Sequence, residues 1–313
     1  MIKKFVLLGM LIVATFTVNA RTIELVLPYA PGGPADRLAQ LMLPILKDSL
    51  DKNGITPVIS FKPGGGTTIG AQAVAKTEPG KIQILLMSNS IVQAPIINKL
   101  PNIYNIEQDF RVLGYLGHLP MLMVVNINTN IQNFNEFRKL CQQGKLTYGT
   151  GGIGTSGHIS TAIISNYLGC DAPAGHFKGL GPMLTALVGN HVNYGTDYPT
   201  SMKSFIDSNK LRPILIVDQS RLLDYPNVPT IKEVGIDIKL DNWFIIVANS
   251  TASPEDIAIM QQAISKTLSN PILQNQLKEF GFKNINAQVP SNFLSLEQQN
   301  FIKLTKQIKF DVN

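Results

Sequence analysis

Residues 23–42 read IELVLPYAPGGPADRLAQLM, and this stretch decides the fold. Ile23, Leu25 and Leu27 alternate with Glu24 and Val26, which predicts a strand. Pro28 and the run from Pro31 to Pro34 stop that strand. Leu38, Leu41, Met42, Ile45 and Leu46 then recur at helical spacing. Gly32 and Gly33 lack a Cβ, so a ligand can come close to their backbone. The N–H groups that open a helix favour an anion. An ordinary strand-to-helix turn would carry the same residues.

The alternation continues, which is the mark of α/β layering. Strands are expected over 57–61, 82–87, 109–116 and 121–125, with a Gly-rich loop after Phe61 that enters a helix near Thr68. A new unit follows. Its helix is expected over 134–140 and its strand over 146–148, and GTGGIGTSGHIS (149–160) opens a further helix running to about Leu168. Strands over 174–177, 192–194 and 212–217 and a helix over 182–187 complete it. Near the C-terminus, Ser253-Pro254-Glu255-Asp256 gives an N-cap, a Pro at N1 and an acid at N3. Asn270-Pro271 starts the next helix and Gly281 ends it.

Residues 1–20 read as a secretory leader: Lys3 and Lys4, an apolar core over 5–16, and Val18-Asn19-Ala20 as the cleavage site. Cleavage after Ala20 would leave 293 residues and lower the formal charge from +6 to +4. That length suits two lobes. The apolar run is short for a span of about 20 residues. No cysteine lies near the cleavage site, so a lipid anchor there is excluded. An exported, periplasmic, monomeric product is expected. The basic residues are scattered, with no run and no aromatic interleaving, so nucleic acid is not an expected partner. Cys141 and Cys170 are the only cysteines. In an oxidising compartment they can form a disulfide, or pack as two separate thiols.

Several residues are candidates for binding. Gly149-Thr150-Gly151-Gly152-Ile153-Gly154 matches G-x-G-x-x-G, but no persuasive acidic strand end follows it; Asp171 is the only carboxylate at the required distance. A nucleotide site is therefore not expected. The N–H groups of this loop and the Thr155 and Ser156 hydroxyls still make an anion cradle, and His158 adjoins it. His118, His176 and His191 have no metal-ligand spacing, and neither a metal nor a cofactor is expected. No G-x-S-x-G, H-E-x-x-H or G-x-x-x-x-G-K-[ST] is present, so no catalytic residue is assigned. Lys178 could attract a carboxylate, or be a solvated surface lysine. Asp197 could accept a hydrogen bond from a ligand amine or hydroxyl, or cap the turn through Pro199. Trp243 reads as core or hinge packing rather than ligand stacking.

The segments VLPYAPGGPADRLAQLM, FKPGGGTTIGAQAVAKTEPG, YGTGGIGTSGHIS, HFKGLGPMLTALVGNHV and LLDYPNVPTIKEVGI occur in that order behind the leader. Together they resemble the tripartite tricarboxylate transporter receptors, the Bug family of periplasmic solute-binding proteins, over nearly the whole chain. The resemblance implies a type II, two-lobe Venus-flytrap fold. It places lobe one at 21–123 plus 243–313 and lobe two at 124–242, with extended crossovers near 121–126 and 242–248. It also implies a small organic acid as ligand and a membrane permease of one large and one small subunit. Matching the motifs, Tyr29, Ala30, Pro31, Gly32, Gly33, Asp36, Ser88 and Asn89 would bind from lobe one. Gly154, Thr155, Ser156, His158, Lys178, Gly179 and Asp197 would bind from lobe two. The sequence departs from the family pattern in KTEPGKIQILL, which lacks Asp-Gly-Tyr after the proline, and in GNHVNYGTDY, which replaces a more acidic stretch. A sensor or surface-interaction protein on the same fold is the alternative. An α/β hydrolase using Ser156 and His158 is a further one.

Overall fold

The computed structural model describes residues 21–100 and 102–306. The expected leader lies outside them. Chain order begins β1 (Arg21–Leu27), α1 (Pro34–Leu50), β2 (Ile55–Phe61), α2 (Thr68–Ala75), β3 (Ile84–Ser88), α3 (Ser90–Ile97) and β4 (Phe110–His118). The next unit is β5 (Met121–Asn126), α4 (Phe134–Gln142), β6 (Tyr148–Thr150), α5 (Ser156–Tyr167), β7 (Ala174–His176), α6 (Leu180–Val188), β8 (Tyr194–Asp197), α7 (Pro199–Asp207) and β9 (Leu211–Val217). The chain then returns through β10 (Trp243–Asn249), α8 (Pro254–Leu268), α9 (Pro271–Phe280) and α10 (Phe293–Thr305).

Two five-stranded sheets result, ordered β2-β1-β3-β10-β4 and β7-β6-β8-β5-β9. In the first, β1 pairs in parallel with β2 and β3, and β10 is antiparallel to β3 and β4. In the second, β6 pairs in parallel with β7 and β8, and β5 is antiparallel to β8 and β9. Each sheet thus takes its antiparallel inner strand from the chain just after it has crossed between lobes. This is the two-lobe α/β architecture expected of a Venus flytrap.

Strand β1 shows why the opening motif behaves as it does. Ile23, Leu25 and Leu27 pack into one core and Val26 into another on the opposite face. Val26 is buried although it alternates with the other set, because helices cover both faces of the sheet. Strand β10 divides in the same way: Phe244, Ile246 and Ala248 on one face, Trp243, Ile245 and Val247 on the other. Full burial of one such large side chain stabilises by about 1.5–3 kcal/mol.

Three expectations need correction. The segments 121–126 and 242–248 are not extended crossovers. The first is β5 of the second sheet, and Trp243–Asn249 is β10 of the first. A lobe boundary at 123/124 therefore falls inside β5. The change of sheet lies between His118 and Met121, and the return lies between Val217 and Trp243. Helices α3, α7 and α10 also appear where none was expected.

Cys141, in the last turn of α4, and Cys170, just after α5, form a disulfide with Cα atoms 5.0 Å apart. Near the first crossing, Asp218 is buried and ion-paired with His118, and with Lys283 at 3.2 Å. It also accepts hydrogen bonds from the Ser220 N–H (2.8 Å) and hydroxyl (2.9 Å). Burial opposes its charge. The His118 and Ser220 hydrogen bonds and the His118 and Lys283 charges outweigh burial and hold its carboxyl well below the usual range.

Candidate functional site

Both lobes turn the carboxyl ends of their parallel strands toward each other, which is where open α/β sheets bind ligands. From the first lobe come residues 28–33 after β1 and Ser88 at the end of β3. From the second come 151–155 after β6, Lys178-Gly179 after β7, and Asp197 at the end of β8.

A network of hydroxyls joins the two. The Tyr29 hydroxyl lies 2.8 Å from Ser88 Oγ and accepts a hydrogen bond from the Ser88 N–H at 3.1 Å. Ser88 Oγ lies 2.9 Å from Ser90 Oγ and 3.0 Å from Ser156 Oγ of the other lobe. Ser156 Oγ donates to Asn89 Oδ1 at 2.8 Å. Thr67 Oγ1 reaches Ser90 at 3.2 Å. Thr67 is a β-branched residue held at φ +88°, and such outliers gather at functional sites.

The lobes also touch through backbone. Gly66 has φ +62°, and a Cβ there would lie 1.9 Å from the Ile153 carbonyl oxygen of the second lobe. Gly157, in the first turn of α5, approaches the Thr196 carbonyl so closely that a Cβ would lie 2.5 Å from it. A side chain at Gly66 would push the two lobes apart, and one at Gly157 would push α5 from β8 within the second lobe.

Three acidic groups share the cleft. Burial pushes the Asp197 carboxyl up to about 6, against the Tyr198 N–H that donates to its Oδ1 at 2.7 Å. Burial also raises the Tyr29 phenol, partly offset by its hydrogen bonds to Ser88 and Ser90, and the charge of Asp197 adds to the rise. Tyr198 rises further by burial, with Tyr29 and Asp197 opposing its ionisation. Thr200 Oγ1, in the first turn of α7, is buried with no hydrogen-bond partner among the described residues.

The structure brings Tyr29, Ser88, Asn89 and Ser156 into one hydrogen-bonded group and sets Ala30 against Gly179 across the cleft. Other expected binders are engaged elsewhere. Asp36 accepts from the Gly32 N–H at 2.8 Å, so it braces the loop that carries it. Gly33 is the N-cap of α1, Ala30 and Pro31 are exposed, and Lys178 is exposed. Thr155 caps α5 by accepting from the His158 N–H and donates to the Gly152 carbonyl at 2.8 Å. His158 is fully buried, and its Nδ1 accepts from the Gly154 N–H at 3.2 Å. Burial, with the neighbouring His176 ring, pulls its pKa down to about 4, so it is a neutral acceptor that braces the loop. It does not join the hydroxyl network. Sequence reasoning missed Thr67, Ser90, Tyr198 and Thr200. Ser90 stands in the Ser-Asn-Ser step that drew attention to its two neighbours. Thr67 carries no local sign of its backbone strain.

The sequence profile described as "Tripartite tricarboxylate transporter family receptor" matches residues 45–309. The chain belongs to this family. Its members are receptors of tripartite tricarboxylate transporters. The fold of this receptor is similar to that of the periplasmic binding protein BugD (TM-score 0.81, 24% identity, 92% of this chain and 96% of that one). It is also similar to MatC from Rhodopseudomonas palustris with bound malate (TM-score 0.79, 22% identity, 93% and 100%). A third similar structure is R. palustris Rpa4515 with adipate (TM-score 0.81, 23% identity, 92% and 97%). Among the described residues of this receptor, no helix is long and apolar enough to cross a membrane.

Proposed function

We propose that this receptor captures a small organic acid between its lobes and delivers it to a two-subunit membrane permease. The observation that carries this reading is the Tyr29–Ser88–Ser156–Asn89 group, in which both lobes meet through hydroxyls and amides at facing strand ends. Carboxylates accept hydrogen bonds from such donors without an Arg fork. A ligand would take the place of the direct Ser88–Ser156 contact, so that closure is completed by the acid. Malate in MatC and adipate in Rpa4515 fit the class, since both are dicarboxylates.

Asp197 narrows the class. A carboxylate in the cleft disfavours a second one beside it unless a proton lies between them. A ligand hydroxyl or ammonium supplies that proton, and so does Asp197 itself when protonated. A micromolar affinity needs about −8 kcal/mol. Hydrogen bonds to a charged group contribute about 1.5–3 kcal/mol each, so four or five suffice before ordering costs. The hydrolase alternative loses its support from geometry. Ser156 donates to Asn89, and His158 is engaged with Gly154, so these two do not form a nucleophile–base pair.

Thermal unfolding in a panel of di- and tricarboxylates, hydroxy acids and acidic amino acids tests the reading. At a hundredfold excess over Kd one acid should stabilise by about 2.7 kcal/mol. Ser156→Ala should weaken that acid about tenfold, the equivalent of one buried hydrogen bond. No shift with any acid, together with no co-purified acid in a native mass spectrum, would sink the proposal.

A further inference from the structure

Asp197 differs from the other acid held inside this receptor in having no cation beside it. Asp218 is paired with both His118 and Lys283. At Asp197, burial opposes the charge, and only neutral groups favour it: the Tyr198 N–H, 2.7 Å from Oδ1, and the nearby Ser201 hydroxyl. Charges taken out of water are normally paired. Oδ2 accepts no hydrogen bond among the described residues. It is not one of the enclosed atoms, and Asp197 is only partly buried, so a ligand can reach this oxygen.

Oδ2 lies next to the hydroxyl group that joins the lobes. A Cβ built on Gly157 would stand 3.6 Å from it. Gly157 follows Ser156 in the first turn of α5, and Ser156 Oγ is 3.0 Å from Ser88 Oγ of the first lobe. The charge of Asp197 opposes ionisation of the Tyr29 phenol across the cleft, and of the Tyr198 phenol, which lies beside Ser156 and Ser88. Consecutive Cα atoms are about 3.8 Å apart. A donor at Ser156 and an acceptor beside Gly157 are therefore spaced for two groups on one small carbon skeleton. The Ser156 and Gly157 N–H groups also open α5 without an intrahelical acceptor, which favours a carboxylate at the Ser156 end.

Three kinds of partner can answer Asp197. A hard metal ion needs six or so oxygens, and no group of three or more His, Cys, Asp or Glu side chains gathers among the described residues. A ligand hydroxyl donates a hydrogen bond but brings no charge. It would leave the ligand carboxylate and Asp197 as two like charges in one poorly solvated space. An ammonium cancels the charge of Asp197 and leaves the ligand carboxylate to the hydroxyls.

We propose that Asp197 is the specificity-determining residue of the cleft, selecting an α-amino acid by its ammonium group and rejecting acids that lack one. This rests on the reading of the cleft as an organic-acid site. The bound zwitterion presents its carboxylate to Ser88 and Ser156 and its ammonium to Asp197 Oδ2. Its side chain is the part that these contacts leave free to vary.

Calorimetric titration of the refolded, solute-free receptor tests this with the common amino acids, each beside the acid that lacks only the amine, such as L-aspartate beside succinate and L-alanine beside propionate. At least one amino acid should bind, and loss of its amine should weaken binding about thirtyfold, as expected for one hydrogen bond between charged groups. That comparison uses the unaltered chain. Asp197→Asn, which keeps an acceptor for the Tyr198 N–H, should weaken the same amino acid about thirtyfold and leave the amine-free acid bound at least as well as before. An amine-free acid that matches its amino acid, full affinity in Asp197→Asn, or binding of di- or tricarboxylates but of no amino acid would each overturn the inference and leave the organic-acid reading standing. Binding of neither amino acids nor any other acid would overturn both.

Discussion

His158 shows how one side chain sets a pH response. Its folded pKa lies near 4 and its unfolded pKa near 6.5. Between these values the unfolded chain binds a proton that the native one does not, so stability falls as pH drops through that window. The full effect is about 3 kcal/mol, complete near pH 4. Asp197 works in the opposite sense: its raised pKa makes native stability fall as pH rises from about 4 to about 6. His158→Asn keeps an acceptor for the Gly154 N–H and removes the titration. The stability of the parent relative to that variant should therefore fall as pH drops from 6.5 to 4 in urea unfolding, the Asp197 contribution being common to both. An unchanged slope would mean that the imidazole is protonated in the native state. None of this was open to sequence reasoning. The sequence places His158 next to a Gly-rich loop, but its partners Gly154 and His176 are set by a turn and by β-pairing between β6 and β7.

Elements with strong local signals stand where the sequence puts them. Helix α1 keeps Leu38, Met42 and Leu46 in the core as the periodicity requires, and Ser253 caps α8 by accepting from the Asp256 N–H. Helix α3 was hidden because its sequence, SIVQAPII, is β-branched and contains Pro95, which argue for a strand or a break. Tertiary burial of Ile91, Val92 and Ala94 overrides that preference. Strand β10 was hidden because its neighbours, β3 and β4, lie far away in sequence. The Cys141–Cys170 bond links α4 to the end of α5, the helix that carries Ser156 toward the cleft. With the cysteines 29 positions apart in sequence, removing the bond in a Cys141→Ala/Cys170→Ala protein should cost about 2–4 kcal/mol, measured by denaturant unfolding. Acid binding should change little, since Ser156 and Asn89 do not depend on the bond for their contact.

At the scale of the whole molecule, the Asp218–His118–Lys283 group spans the lobes beside the first crossing. Asp218 has a depressed folded pKa, so its contribution is present above the unfolded carboxyl value of about 3.9 and is lost as pH falls below it. Asp218→Asn leaves the Lys283 ammonium without its carboxylate partner and should destabilise by about 3 kcal/mol at pH 7. The gap between parent and variant should narrow below pH 4, as calorimetry at pH 7 and pH 3 would show. A gap that stays constant would place the group's value in packing rather than charge.

The strand orders carry one more consequence. The second sheet is built wholly from residues 121–217, whereas the first is incomplete until β10 at Trp243–Asn249 fills the gap between β3 and β4. Until then β3 and β4 present raw, apolar edges to the solvent. A chain emerging from its N-terminus must therefore hold its first hundred residues unfinished while the middle of the chain folds. A fragment of residues 119–242 should fold cooperatively by itself, and one of residues 21–120 should collapse without a sharp transition. Any factor that guards the newborn protein would find its work in those early strands, and its release would coincide with the arrival of β10.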